Sequence, residues 1–160
     1  MSPDTEGLDH INIYTKGKTA LGRALTNLSN YAFIYEGTMF QSMEAFWFYH
    51  KHQMQGLPFE GLPMMKGFDA KQFGKKHKQP FDYPVEFIDL MKEGMKCRLR
   101  QNPKLLRDLV DSSLPLVHYY AYGSSEKGWK VIELPEYQWI CDLHMEIRTL
   151  CQNHYKQRRV

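Results

Sequence analysis

The sequence predicts a mainly α (α+β) fold, a single compact domain of about four helices with a small β-hairpin element. Three observations point there. Residues 85–99 and 139–150 carry apolar side chains at a 3.6-residue period: Val85, Ile88, Met91, Met95 and Leu99 in the first, Trp139, Leu143, Ile147 and Leu150 in the second. Residues 43–52 contain no helix breaker, and two short β-prone runs around a glycine precede them. Pro and Gly punctuate loops instead of collecting into a linker, so nothing marks a second folding unit. The layout expected is an N-terminal extension with a short strand over 1–26, the main domain over 27–154 and a basic tail over 155–160.

Taken in order, the chain should open frayed, after which Ile11 and Ile13 alternate with polar neighbours as a short strand. Phe33-Ile34-Tyr35 and Thr38-Met39-Phe40 flank Glu36-Gly37, and the glycine supplies the positive φ a tight hairpin needs. Ser42 can cap the helix over 43–52, with Glu44 in its first turn, where the helix dipole favours an anion. Gly56, Pro58, Gly61, Pro63 and Gly67 make 55–68 irregular, and 70–75 fits a helical turn. Pro84 suits the first turn of the next helix, and Asn102-Pro103 stops it and starts another that ends near Ser112. Residues 117–122 are β-branched and aromatic and read as extended, ended by Gly123-Ser124-Ser125. Pro135 opens the last helix, which trails into Lys156, Arg158 and Arg159.

Composition narrows the function classes. A chain of 160 residues with 42% hydrophobic and 24% charged side chains can bury a core without staples, which excludes disorder. Charges interrupt every apolar run, so no membrane segment or signal peptide is expected and a cytoplasmic protein is. Cys97, Cys141 and Cys151 are odd in number and show no CxxC spacing, which fits free thiols. His50 and His52 face different sides of one helix, so no metal is expected. A net charge of +3 favours anionic ligands weakly and is too small to argue for nucleic acid.

The constellation that carries chemistry lies on 43–52. Glu44 and Lys51 are seven residues apart, two helical turns, so both project from one face with Cα atoms roughly 10 Å apart. Trp47 and Phe48 occupy the turn between them. Spacing alone fits a solvated charged face more often than a site. The aromatic run Phe46, Trp47, Phe48 and Tyr49 argues instead for a buried helix. A lysine there is disfavoured in its charged form, which frees its amine as a nucleophile, while a neighbouring carboxylate would oppose that shift. Lys66, Lys71, Lys75, Lys76 and Lys78 crowd one loop-rich stretch and could meet a pyrophosphate, with a solvated basic loop as the even alternative. His118 fits a hydrogen-bonded structural role better than a role at a base.

Several ordered motifs accompany this pair: Asn27-Leu28-Ser29-Asn30-Tyr31, the Glu36-Gly37 hairpin, and Phe40 through Lys51 with Ser42-Met43-Glu44. Downstream stand Ala70-Lys71-Gln72-Phe73-Gly74-Lys75, the run from Met91 through Arg98 to Asn102-Pro103-Lys104-Leu105, and Leu143-His144-Met145-Glu146-Ile147-Arg148. Over about 27–150 this set resembles the NADAR, or YbiA-like, family of N-glycosidases, as a divergent member. The resemblance implies hydrolysis of the N-glycosidic bond of an ADP-ribosyl or phosphoribosyl base adduct, for example ADP-ribosylated guanine, on DNA or as a free nucleotide. It implies Lys51 as the Schiff-base residue and Glu44 as the group that orients the sugar or moves protons, with no cofactor. Substrate contacts are then expected from Ser29, Asn30, Trp47 and Phe48, from Lys75 in the family's arginine place, and from Arg98, His118 and Tyr122. Where the family has Asp-x-x-Trp-Gly, this chain has Tyr119-Tyr120-Ala121-Tyr122-Gly123, which bears on the base and on turnover. A non-catalytic protein binding an NAD-derived or ADP-ribose nucleotide is the second reading, and a nucleic-acid-binding module the third.

Overall fold

The structure, a computed structural model, describes residues 1–158. In chain order its regular elements are β1 (Ile11–Asn12), α1 (Ala20–Ala24), β2 (Phe33–Tyr35), β3 (Thr38–Phe40), α2 (Met43–Met54), α3 (Gly67–Lys76) and α4 (Val85–Gln101), then α5 (Pro103–Asp111), β4 (Leu116–Val117), β5 (Tyr119–Ser124), β6 (Gly128–Glu133) and α6 (Gln138–Arg158). The mainly helical class with small strand pairs is what the periodicity predicted. No helix among the described residues is long and apolar enough to cross a membrane. The chain forms two compact units, one of 27–103, the other of 1–26 with the chain from Lys104 onward.

The continuous unit is built on α2. Ser42 caps it, accepting from the Ala45 N–H at 3.1 Å, and the Ser42 hydroxyl donates to the Met65 carbonyl at 3.3 Å. The hairpin β2–β3 pairs Phe33 with Phe40 across a turn in which Glu36 and Gly37 both have positive φ, as a two-residue type I′ connection requires. Phe33, Phe40 and Phe46 then form a buried aromatic knot, with Phe40 and Phe46 edge to face at 4.9 Å. Met91, Met95 and Leu99 of α4 are fully or almost fully buried, which accounts for their spacing. Two helical glycines admit aromatic rings: a Cβ on Gly94 would sit 2.4 Å from the Phe46 ring, and one on Gly74 2.2 Å from the Phe48 ring. Helix α3 starts three residues before the expected turn, because its first amide finds a cap outside its own segment.

The second unit corrects the expectation of a frayed start. Buried Glu6 accepts the N–H groups of Asn12, Lys18 and Thr19 and the Thr19 hydroxyl, folding the N-terminal loop around one carboxylate. β1 pairs in parallel with β4, Ile11 opposite Leu116. Buried Asn12 extends that pairing through its side chain, donating to the Tyr119 carbonyl at 2.9 Å and accepting the Tyr119 N–H at 3.0 Å. Asp4 accepts from the Ser125 hydroxyl and from Trp129 Nε1–H at the β5–β6 turn. The short helix α1 and strand β6 are additions to the sequence reading. The expected basic tail continues α6 as far as Arg158, and its remaining residues, Arg159 and Val160, lie outside the described residues.

Candidate functional site

Lys51 lies in the last turns of α2 and is 8% exposed. Its ammonium stands over three aromatic rings, 5.7 Å from the centroid of Phe48, 5.6 Å from Phe81 and 5.4 Å from Tyr83, all within cation–π range. Burial, with the positive charge of Lys78, draws its pKa below the ordinary lysine range. No ion pair joins it to Glu44 among the described residues, so the opposing carboxylate effect anticipated from spacing is not the dominant one.

Glu44 lies in the first turn of α2, its N–H donating to the Asn27 carbonyl at 2.8 Å. Its side chain is half-buried. Desolvation pushes its carboxyl up to about 7, against the charge of Lys71, which pulls the other way. A group titrating there can hold a proton and give it up at neutral pH.

Tyr83 joins the two charged groups. Its side chain is 37% exposed, with one side packed, and its pKa is raised, first by that partial desolvation and next by the Glu44 charge, while its ring faces Lys51. Its φ is +51°, a left-handed conformation that costs a residue with a side chain about 1–2 kcal/mol. Packing holds it there, with Phe81 at 5.0 Å, Phe87 at 5.7 Å and Trp47 at 5.9 Å between ring centroids. Sequence reasoning missed Tyr83. The only local signal was Pro84, which disfavours the right-handed helical basin for the residue before it. An open depression of about 550 Å³, lined by Met54, Pro80, Phe81, Asp82 and Pro84, adjoins the Phe81 ring.

The remaining expected residues fall into three groups. Asn30 Oδ1 accepts the Gly67 N–H at 3.1 Å, capping α3, and Gly67 is obligatory there because a Cβ would meet the Leu28 carbonyl oxygen at 2.0 Å. Ser29 Oγ receives a long bond from Arg98 Nη1 at 3.5 Å, and Arg98 itself is fully buried, its pKa drawn down to about 10 by desolvation. Trp47, 7% exposed, packs edge to face on Phe87 at 5.1 Å, whereas half-buried Phe48 is the ring that reaches Lys51. Lys75 is exposed, and the lysines with an electrostatic effect at the site are Lys71, on Glu44, and Lys78, on Lys51. His118 and Tyr122 belong to the other unit. There the His118 Nδ1–H donates to the Ile13 carbonyl at 2.6 Å, the structural role favoured from sequence, and Tyr122 is exposed on β5.

No family model and no curated protein sequence matches the chain. Among solved structures it is similar to the E. coli protein YbiA, determined by NMR, with a TM-score of 0.63 at 16% sequence identity. The likeness covers 92% of this chain and 87% of that one. At this identity it establishes a shared fold, the one the ordered motifs implied.

Proposed function

We propose that the chain is an N-glycosidase of the NADAR type, acting on an ADP-ribosyl or phosphoribosyl base adduct. The observation that carries the reading is the Lys51 amine, enclosed by three aromatic rings, drawn toward its neutral form and two helical turns from a carboxyl group that titrates near neutrality. The likeness to YbiA supports the same assignment at the level of fold.

Chemistry follows from these two groups. Protonated Glu44 delivers its proton to the departing base nitrogen as the C1′–N bond breaks with its electron pair going to the base. The anomeric carbon, left electron-poor, is captured by the lone pair of Lys51 Nζ. Opening of the C1′–O4′ bond, with O4′ taking a proton, yields a protonated imine on Lys51. Water, deprotonated by the Glu44 carboxylate, adds to C1′, and collapse releases the ribose aldehyde and the amine. Lys71 and Lys78 supply positive charge for the substrate phosphates.

Borohydride added during turnover should leave a ribose-derived mass on Lys51, absent from Lys51→Ala. Turnover by the wild type with no such adduct would remove the imine step. Binding of ADP-ribose with no cleavage of any N-ribosyl compound would assign the chain to the binding class instead.

A further inference from the structure

We propose that Tyr83 is the positioning residue of this site, a ring held beneath the Lys51 amine by a backbone conformation that residues with side chains rarely adopt. It rests on the reading of Lys51 as the nucleophile, and three independent observations carry it. Among the described residues only Glu36 and Tyr83 have positive φ without being glycine, and Glu36 sits in a hairpin turn that demands it. Tyr83 has no such excuse in its local chain, since it precedes Pro84 in a loop where an extended conformation is available. Such a conformation persists only where the surroundings over-determine it, and here those surroundings are Trp47, Phe81 and Phe87.

The second observation is what the conformation achieves: of the three rings around the ammonium, that of Tyr83 lies nearest. The negative face of an aromatic ring attracts the charged form of an amine, opposing the desolvation that burial imposes. Third, the charges of both Glu44 and Lys78 act on Tyr83. The charged and titratable groups around the amine are Lys78, which repels its proton, and His52, which feels the Lys51 charge in turn. Tyr83 therefore offsets the Lys78 repulsion and keeps the amine in place against the aromatic wall of Phe48, Phe81 and its own ring. Too little ring contact leaves the amine neutral but unheld; too much would keep it protonated and inert.

The test reads the amine itself. Competitive reductive methylation with formaldehyde and cyanoborohydride, followed by mass spectrometry across the pH range in which amines titrate, gives a labelling midpoint for Lys51 in the full chain. Tyr83→Phe, which keeps the ring, should match the wild type, and Tyr83→Leu should lower the midpoint by about half a unit. Simple loosening of the packing would admit water and raise the midpoint, so the sign separates the two effects. Should Tyr83→Leu fail to fold, a series of increasingly fluorinated phenylalanines at position 83 removes the ring's negative face without changing its shape, and the midpoint should fall stepwise. An unchanged or raised midpoint in Tyr83→Leu, a flat fluorination series, or a fall in Tyr83→Phe equal to that in Tyr83→Leu overturns the proposal. Absence of glycosidase turnover would sink the proposed reaction and leave the labelling result standing on its own.

Discussion

At the scale of single residues, the site depends on two groups moved away from their usual protonation in opposite senses, and the mover is burial in both cases. A general acid titrating at about 7 is protonated below that pH and ionised above it, so the bond-breaking rate should fall as pH rises through 7. Lys71 is the residue that lowers Glu44. Lys71→Met is therefore expected to move that falling limb to higher pH, and Glu44→Gln to abolish it with a rate loss of about 10²-fold or more. A pH–rate profile of single-turnover cleavage checks both; a limb that stays put in Lys71→Met would mean another acid is at work. Asn12 offers a residue-scale prediction about stability. Its amide satisfies both the N–H and the carbonyl of buried Tyr119. Asn12→Ala strands one donor and one acceptor, at about 2–4 kcal/mol in total. Urea unfolding should show a lower midpoint with an unchanged slope.

Elements were legible in the sequence where a local rule sufficed. α2 and α4 could be read because capping at Ser42, the Pro84 start and an apolar period all agree, and the β2–β3 turn because Glu36-Gly37 admits positive φ. What escaped depends on partners far along the chain. α1 has five residues, too few for a periodic pattern, and takes its start from Thr19 held by Glu6. β6 becomes a strand by pairing with β5, Tyr119 opposite Glu133, although its own residues are mostly exposed. Arg98 was expected as a substrate contact, yet it stands seven residues after Met91 on the buried face of α4 and is enclosed there. The pair Glu44 and Lys51 was visible because it lies on one helix; Tyr83 was not, because three rings from two helices and a loop set its backbone. The contacts between elements make their own prediction. Alanine favours a helix over glycine by about 1 kcal/mol, yet in Gly94→Ala the new methyl meets the Phe46 ring, and overpacking should leave a net loss of about 1–3 kcal/mol. Gly74→Ala presses on Phe48 instead, the ring beside Lys51, so it should alter the rate of imine formation as well as the melting temperature. Equal melting temperatures for Gly94→Ala and wild type would show that the ring can step aside freely.

For the molecule as a whole, the continuous unit 27–103 holds both proposed reacting groups, while the other unit is assembled from the two ends of the chain. The continuous unit thus has its own signature in the dependence of stability on pH. Glu44 has a folded pKa near 7 against an unfolded value of 4.5, so its contribution is complete below pH 4.5 and is lost as pH rises through 7. His50 runs the other way. Wedged against Phe46 at 4.3 Å, with its Nε2 buried and unpartnered, it falls to about 4 from 6.5 by desolvation. Its contribution is complete above pH 6.5 and is lost as pH falls through 4. Each shift corresponds to about 3–4 kcal/mol at most, and between pH 4.5 and 6.5 the two slopes oppose, which flattens the wild-type curve there. Single substitutions should unmask them. Relative to wild type, Glu44→Gln should gain stability progressively from pH 4.5 to 7 and stay ahead above it, while losing activity. His50→Leu should show its relative gain on the acid side, growing as pH drops from 6.5 toward 4. Thermal unfolding of both variants across this range checks the signs. A Glu44→Gln protein that is no more stable than wild type at pH 8 would mean the carboxyl is well hydrated, and the proton it is proposed to donate would already be gone at neutral pH.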